Sequence, residues 1–182
     1  MKVDQFFPPS KSLFIRALLT KSYFPKLDIK AQSTADDVLV CEKSVSEILK
    51  GSANLSIDAG AAGAVFRFLA LRLSRIPGKH FLQGSTRLLS RSLAGLQKVL
   101  EQTGTLIEVK EHGWNIVSTS EPWKNLSEQK IKIDMSVSSQ VASGVLLNSW
   151  QLPFDLNLEL EGELRSESYF EMTLKFFEEM GG

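Results

Sequence analysis

One order of predicted elements occurs three times along this chain, and that repeat limits the possible folds more than any other feature. In the first two rounds an apolar helix is followed by a short strand, a second helix and a further strand or hairpin, and the third round repeats this order as far as its second helix. The first helices begin near residues 12, 62 and 138, and the second helices near residues 36, 91 and 168. This regular spacing predicts a single pseudo-symmetric α/β domain.

Hydrophobic periodicity sets the bounds of the predicted elements. Helices are expected over residues 12–22, 36–49, 64–73, 91–104, 138–149 and 168–180. Strands are expected over residues 27–31, 55–57, 80–83, 131–133 and 156–160, with a hairpin of residues 106–109 and 115–117. The repeat units cover about 1–58, 59–118 and 130–182, and the third unit is expected to be incomplete. The inward face of the last helix is expected to carry Phe170, Leu174, Phe177 and Met180.

Composition narrows the class of protein further. The 182 residues are 43% hydrophobic, which is enough for a substantial core, and Lys+Arg balances Asp+Glu at 21 each. The balance favours neither a nucleic acid nor a membrane as partner. No cationic leader and no run of about 20 apolar residues is present. The single cysteine, Cys41, is expected in the core of the second helix and fits a reducing compartment, so a cytoplasmic location is predicted.

The starts of the three first helices carry groups suited to an anion. The first helix of the first unit begins with Lys11 and Ser12, and that of the second unit with Gly60 and Gly63. That of the third unit begins with Ser138, Ser139 and Gln140. Pseudo-symmetry would bury these helices side by side, and converging helix N-termini favour a negatively charged ligand. Taken alone, the first stretch is equally compatible with a solvated helix start.

Two further arginines have alternative interpretations. Arg67 lies on an otherwise apolar helix, where a buried cation needs a partner. That partner is either a bound anion or an aspartate in an internal ion pair. The candidate aspartates are Asp36, Asp37 and Asp58. Arg87 follows a predicted strand and precedes a helix, where it binds a ligand or is an ordinary surface cation.

Motifs for a metal or an organic cofactor are not found in the sequence. His80 and His112 have no partner at a spacing suited to a metal or a catalytic triad, and neither a glycine-rich phosphate loop nor a dinucleotide fingerprint occurs. No cofactor is therefore expected.

Six segments, in this order, resemble the 5-enolpyruvylshikimate-3-phosphate synthase family. They are Pro-Ser-Lys-Ser-x-x-x-Arg-Ala-Leu-Leu at 9–19, Ala-Asp-Asp at 35–37, Ala-Gly-Ala-Val-Phe-Arg-Phe-Leu at 62–69, Gly-x-x-Arg at 84–87, Ser-Val-Ser-Ser-Gln at 136–140 and Ser-x-x-Tyr at 166–169. The resemblance covers nearly the whole chain. It implies an inverse α/β domain of three helix–sheet units, whose buried helices have N-termini that converge on the ligand.

The resemblance also implies an activity and a set of ligand-binding residues. The family transfers the carboxyvinyl group of phosphoenolpyruvate to the 5-hydroxyl of shikimate 3-phosphate and needs no metal or organic cofactor. The residues that match the family's contacts to shikimate 3-phosphate are Lys11, Ser12, Arg16, Ser138, Ser139, Gln140, Ser166 and Tyr169. Those that match its contacts to phosphoenolpyruvate are Lys11, Gly63, Arg87 and Gln140.

Several departures from the family pattern limit these expectations. The family is longer and carries its acid–base carboxylates on a second domain, so no catalytic residue is expected here. Pro9, Ile15 and Ala64 replace a common glycine, asparagine and threonine, and Glu167 replaces a common lysine, which predicts weaker binding of a phosphosugar. The chain is expected to be the shikimate-3-phosphate-binding part, inactive alone, whether as a fragment, a split enzyme or a decayed paralogue. The alternatives are a non-catalytic anion- or phosphosugar-binding module and a structural domain without a ligand.

Overall fold

The computed structural model of the chain describes residues 10–30, 32–136, 139–162 and 167–182. Its helices are α1 (Lys11–Lys21), α2 (Asp36–Leu49), α3 (Gly63–Leu73), α4 (Thr86–Leu89), α5 (Ala94–Gln102), α6 (Gln140–Leu147) and α7 (Glu167–Glu179). A short 3-10 helix covers Lys124–Ser127. None of the described helices is both long and apolar enough to span a membrane.

The strands form two sheets. They are β1 (Ser56–Asp58), β2 (Gly78–Gln83), β3 (Leu106–Lys110), β4 (Gly113–Ser118), β5 (Lys130–Asp134) and β6 (Asn157–Glu161). The first sheet has the order β1-β2-β4-β3, in which β1 and β2 are parallel and the other neighbours antiparallel. The second sheet pairs β5 and β6 in parallel. The hairpin predicted around residues 106–117 is therefore confirmed as β3 and β4.

One predicted strand is not formed. Within residues 27–30, Leu27 and Ile29 are half-buried, whereas Asp28 and Lys30 are exposed. This side-chain alternation is typical of a strand. No strand elsewhere in the described ranges pairs with this segment. The prediction of a strand at 27–31 is wrong over 27–30, and residue 31 lies outside the described residues.

Three helices form the centre of the domain. Phe14 to Thr20 of α1 are all buried, as are most residues of α3 and α6. A helix that is apolar on nearly all faces is stable only when other elements surround it, and here α1, α3 and α6 contact one another while α2, α5 and α7 pack outside. The predicted burial of the first helix of each unit is confirmed.

The outer helices bury one face each. Cys41 on the inner face of α2 is 1% exposed, and burial raises the pKa of its thiol to about 12, so its predicted place in the core is confirmed. On α7 the predicted face is only partly correct. Phe170 is buried as expected and Phe177 and Met180 are half-buried, but Leu174 is exposed, and Thr173 and Phe176 are buried instead. Thr173 faces inward, and its hydroxyl oxygen accepts a hydrogen bond from Arg16 Nε of α1.

A polar cluster joins the C-terminal ends of the three central helices. The Tyr23 hydroxyl donates to Asn148 Oδ1 at 2.7 Å, and Asn148 Nδ2 donates to the carbonyl oxygen of Phe68 on α3 at 3.2 Å. Arg72 Nε donates to Ser22 Oγ at 2.7 Å, and its guanidinium lies 4.1 Å from the centroid of the Tyr23 ring. Cations at helix C-termini offset the partial negative charge there. This end of the domain is therefore closed by its own side chains.

Candidate anion-binding site

The opposite ends of α1, α3 and α6 border a cavity of about 310 Å³. Each of these ends is a helix N-terminus, so backbone N–H groups and the helix dipoles favour negative charge there. The charged and polar side chains that line the cavity are Lys11, Ser12, Arg16, Asp37, Arg67, Arg91, Gln140 and Tyr169. The convergence predicted from the repeat is present in the structure.

Cations outnumber carboxylates in this lining. Lys11, Arg16, Arg67 and Arg91 face a single acidic residue, Asp37, among the described lining residues. Asp37 pairs with Lys11 at 2.8 Å, and both side chains are partly exposed. Because one ion pair of this kind balances only one of the four cations, the cavity keeps an excess of positive charge that suits a multiply charged anion.

Arg67 and Arg91 lie together at the start of α3. Arg67 Nη1 donates to the carbonyl oxygen of Gly63 at 2.8 Å, and burial together with the charge of Arg91 lowers the pKa of Arg67. A Cβ added at Gly63 would lie 3.1 Å from Arg67 Nη1 and 3.4 Å from Arg91 Nη1. The glycine therefore allows two guanidinium groups to approach the same turn of backbone.

The internal ion pair considered for Arg67 is not found in the described residues. Asp37 pairs with Lys11, and Asp58 Oδ1 accepts the backbone N–H of Gly60 at 2.8 Å. Asp36 forms no ion pair within the described part of the chain. Two like charges brought together without a carboxylate are unfavourable unless an anion lies between them. The arrangement therefore favours the anion-binding interpretation of Arg67.

Arg16 is the most buried cation of the site, at 4% exposure. Its Nε donates to Thr173 Oγ1 at 2.8 Å, Nη1 to the carbonyl oxygen of Ser12 at 2.8 Å, and Nη2 to the carbonyl oxygen of Tyr169 at 2.9 Å. Burial lowers the pKa of Arg16 to about 10, so the group is charged at neutral pH. Its guanidinium is held at the cavity wall by α1 and α7 together.

The structure brings most, but not all, of the predicted binding residues to this cavity. Those that line it are Lys11, Ser12, Arg16, Gly63, Gln140 and Tyr169. Ser139 is almost fully buried at the start of α6, and Arg87 is exposed on α4 outside the cavity lining. Ser138 and Ser166 lie outside the described residues. The ligand roles of all these residues remain predictions.

Sequence reasoning did not identify Arg91 as a site residue. Arg91 lies two residues beyond α4, where its backbone N–H donates to the carbonyl oxygen of Leu88 at 3.1 Å. Arg87 lies within α4, beside the buried Leu88. Local periodicity held no signal for Arg91, because its place at the cavity depends on how the turn after α4 lies against the start of α3.

No cluster suited to a metal ion is found among the described residues. His80 is buried, its Nδ1 accepts the N–H of Leu55 at 3.2 Å, and Nε2 donates to the carbonyl oxygen of Ile76 at 2.9 Å. Burial lowers the pKa of His80, which fits a neutral ring in a structural role. Both ring nitrogens are therefore occupied by the backbone.

The fold and the cavity define the class of protein, an α/β domain with a cationic cavity at three converging helix N-termini. Comparison with known families then identifies the family. The profile described as "EPSP synthase (3-phosphoshikimate 1-carboxyvinyltransferase)" matches residues 18–182. The chain belongs to the EPSP synthase family.

Similar curated proteins are 3-phosphoshikimate 1-carboxyvinyltransferases. That of Bacteroides fragilis is 32% identical over 176 residues, which cover 96% of this chain and 41% of the relative. That of Thermococcus kodakarensis is 30% identical over 196 residues, which cover 96% of this chain and 44% of the relative. The chain thus spans less than half the length of these relatives.

A solved structure supports the fold. The EPSP synthase of Acinetobacter baumannii superposes with a TM-score of 0.65 at 17% identity, over 92% of this chain and 42% of that one. At this identity the match bears on architecture alone. It confirms the predicted inverse α/β fold class.

Proposed function

We propose that this chain binds shikimate 3-phosphate and forms the substrate-binding part of an enzyme that transfers the carboxyvinyl group of phosphoenolpyruvate to its 5-hydroxyl. The observation that carries the proposal is the cavity at three helix N-termini, where four cations face one carboxylate. Both substrates carry a phosphate and a carboxylate, and such groups are bound well by arginines and by free backbone N–H groups.

The proposal divides the cavity between the two substrates. Ser12, Arg16 and Tyr169, on the α1 and α7 side, are proposed to contact shikimate 3-phosphate. Arg67 and Arg91, beside Gly63, are proposed to hold an anionic group of phosphoenolpyruvate. Lys11 and Gln140, which also line the cavity, are proposed to contact both.

Such a site contributes to the reaction through position and charge. A new bond joins the 5-hydroxyl oxygen to C2 of phosphoenolpyruvate as the hydroxyl loses its proton and C3 gains one. C3 then gives up a proton, the C2–C3 double bond re-forms, and the bond from C2 to the phosphate oxygen breaks as phosphate leaves. Cations that fix both anions align the reacting atoms and stabilise the charge that develops. Because the relatives are longer than the matched segment, turnover is proposed for the whole enzyme, and no acid–base role is assigned to this chain. A cytoplasmic location belongs to the same proposal.

Calorimetric titration of the chain with shikimate 3-phosphate tests the proposal. Saturable binding is expected, and shikimate, which lacks the phosphate, should bind much more weakly. Arg67→Met should weaken binding of phosphoenolpyruvate, titrated in the presence of shikimate 3-phosphate, by about tenfold, since a hydrogen bond to a charged group is lost. The matched control is Lys50→Met, which removes an exposed cation paired with Glu47 outside the cavity lining.

Two outcomes would count against the proposal. A folded chain that binds neither substrate would remove the substrate-binding role, and equal losses in Arg67→Met and Lys50→Met would point to a general effect of charge. Binding of shikimate 3-phosphate without turnover, even when the chain is joined to the rest of a relative's length, would instead support a non-catalytic phosphosugar-binding module.

A further inference from the structure

Arg16 depends on α7 for its orientation. Two of its three nitrogens donate to a single turn of that helix, Nε to Thr173 Oγ1 at 2.8 Å and Nη2 to the Tyr169 carbonyl at 2.9 Å. Nη1 donates to the carbonyl oxygen of Ser12 on its own helix. A guanidinium carries five N–H hydrogens, so two have no partner in the described part of the chain, one on each terminal nitrogen.

The Thr173 hydroxyl is itself held in place. It is fully buried, and it hydrogen bonds to Ser143 Oγ at 2.9 Å and to the carbonyl oxygen of Tyr169 at 2.8 Å. One hydroxyl hydrogen serves one acceptor at a time, while the oxygen still accepts the Nε–H of Arg16. Ser143 lies on α6 and is also fully buried. The network therefore joins α1, α6 and α7 behind the cavity.

We propose that Thr173 is a positioning residue for Arg16, and that its hydroxyl sets the direction in which the two remaining N–H groups of the guanidinium meet the anion. Thr173 does not line the cavity and acts only through Arg16. The ligand-binding part of this inference rests on the function proposed above. The orientation of Arg16 by Thr173 does not, because it is a property of the chain without ligand.

The physical basis is the burial of the guanidinium. Without the hydroxyl, the Nε–H of a cation that is 4% exposed would have no acceptor, and leaving a buried charged donor unpaired is costly. The side chain would then turn to recover a partner. Its free N–H groups would turn with it and lose their alignment with the ligand.

Three substitutions separate the hydroxyl from the packing around it. Thr173→Val keeps the shape and removes the hydroxyl, while Thr173→Ser keeps the hydroxyl and removes a methyl group. Thr20→Val is the matched control, because Thr20 is also fully buried but its Oγ1 has no hydrogen-bond partner in the described residues. Calorimetric titration with shikimate 3-phosphate should show about tenfold weaker binding for Thr173→Val. Thr173→Ser and Thr20→Val should bind like the unsubstituted chain.

The opposite results would overturn the inference. Unchanged affinity in Thr173→Val would show that the hydroxyl does not position Arg16 for binding. Equal losses in Thr173→Val and Thr173→Ser would show that packing, and not the hydroxyl, matters. If Thr173→Val does not fold, Thr173→Ala takes its place and is compared with Thr173→Ser, because these two variants differ only in the hydroxyl. A folded Thr173→Ala chain that binds as tightly as Thr173→Ser would then contradict the proposal.

A readout without ligand distinguishes failure of this inference from failure of the proposed function. The Nε–H signal of Arg16 in a nitrogen-15 spectrum can be assigned by its loss in Arg16→Lys. The hydrogen of this group should exchange slowly with solvent in the unsubstituted chain, in Thr173→Ser and in Thr20→Val. It should exchange rapidly in Thr173→Val. If shikimate 3-phosphate does not bind at all, this comparison alone decides the orienting role, and equal protection in Thr173→Val would refute it.

Discussion

At the scale of single residues, the arginines of this chain differ in what balances their charge. Arg72 and Arg75 donate to the carbonyl oxygens of Ser22 and Trp150, beyond the C-terminal ends of central helices. Arg67 and Arg91 lie at a helix N-terminus, where the helix dipole adds to their positive charge. The first pair completes the fold, whereas the second is better suited to bind an anion.

The two arginines near α4 allow a direct comparison. Arg91→Met should weaken phosphoenolpyruvate binding by about tenfold, measured by calorimetry in the presence of shikimate 3-phosphate, because Arg91 lines the cavity. Arg87→Met is the matched control, since Arg87 is exposed outside the lining. A larger loss in Arg87→Met would instead support the role that the sequence predicted for Arg87.

At the scale of elements, close packing of α3 against α6 keeps the two helix N-termini beside the cavity. Gly144 lies on α6 at this contact, and a Cβ added there would come within 2.7 Å of Leu71 Cδ1 and 3.1 Å of Phe68 Cδ1. Both neighbours are buried on α3. The absence of a side chain at Gly144 therefore sets how closely the helices approach.

Gly144→Ala should destabilise the domain despite the better helix propensity of alanine. Overpacking of a full core costs about 1–3 kcal/mol, and urea unfolding should show that loss. The control is Gly95→Ala on α5, where no atom lies within 4 Å of the added Cβ and a gain of up to about 1 kcal/mol is expected. Equal stability of the two variants would contradict the proposed helix contact.

At the scale of the whole molecule, the two ends of the central helices differ in the roles we assign to them. The N-terminal end is an open cationic cavity, and the C-terminal end is closed by Tyr23, Arg72 and Asn148. Stability and ligand binding should therefore respond to different substitutions, although both involve the same three helices.

Tyr23→Phe tests this separation. It removes the hydroxyl that donates to Asn148 Oδ1 and leaves that buried acceptor without a donor among the described residues, so the free energy of unfolding should fall by about 1–2 kcal/mol. Affinity for shikimate 3-phosphate should stay unchanged, measured by titration well below the unfolding temperature. A parallel loss of affinity would show that the two ends of the helices are coupled.

The sequence by itself determined the order of elements, the burial of the first helix in each unit and the gathering of cations at helix starts. These properties follow from local periodicity, since an apolar helix has to be covered and a helix N-terminus favours an anion wherever it lies. For the same reason Lys11, Ser12 and Gly63 were identified correctly as residues of one cavity.

The tertiary structure alone decided which partners the side chains find. The segment at 27–30 alternates like a strand but has no strand beside it in the described ranges. Arg91, two residues beyond the short helix α4, lines the cavity, whereas Arg87 within that helix does not. Arg16 and Thr173 are 157 residues apart in the chain, yet one hydrogen bond joins them. Periodicity describes one element at a time, whereas such contacts depend on how separate elements pack together.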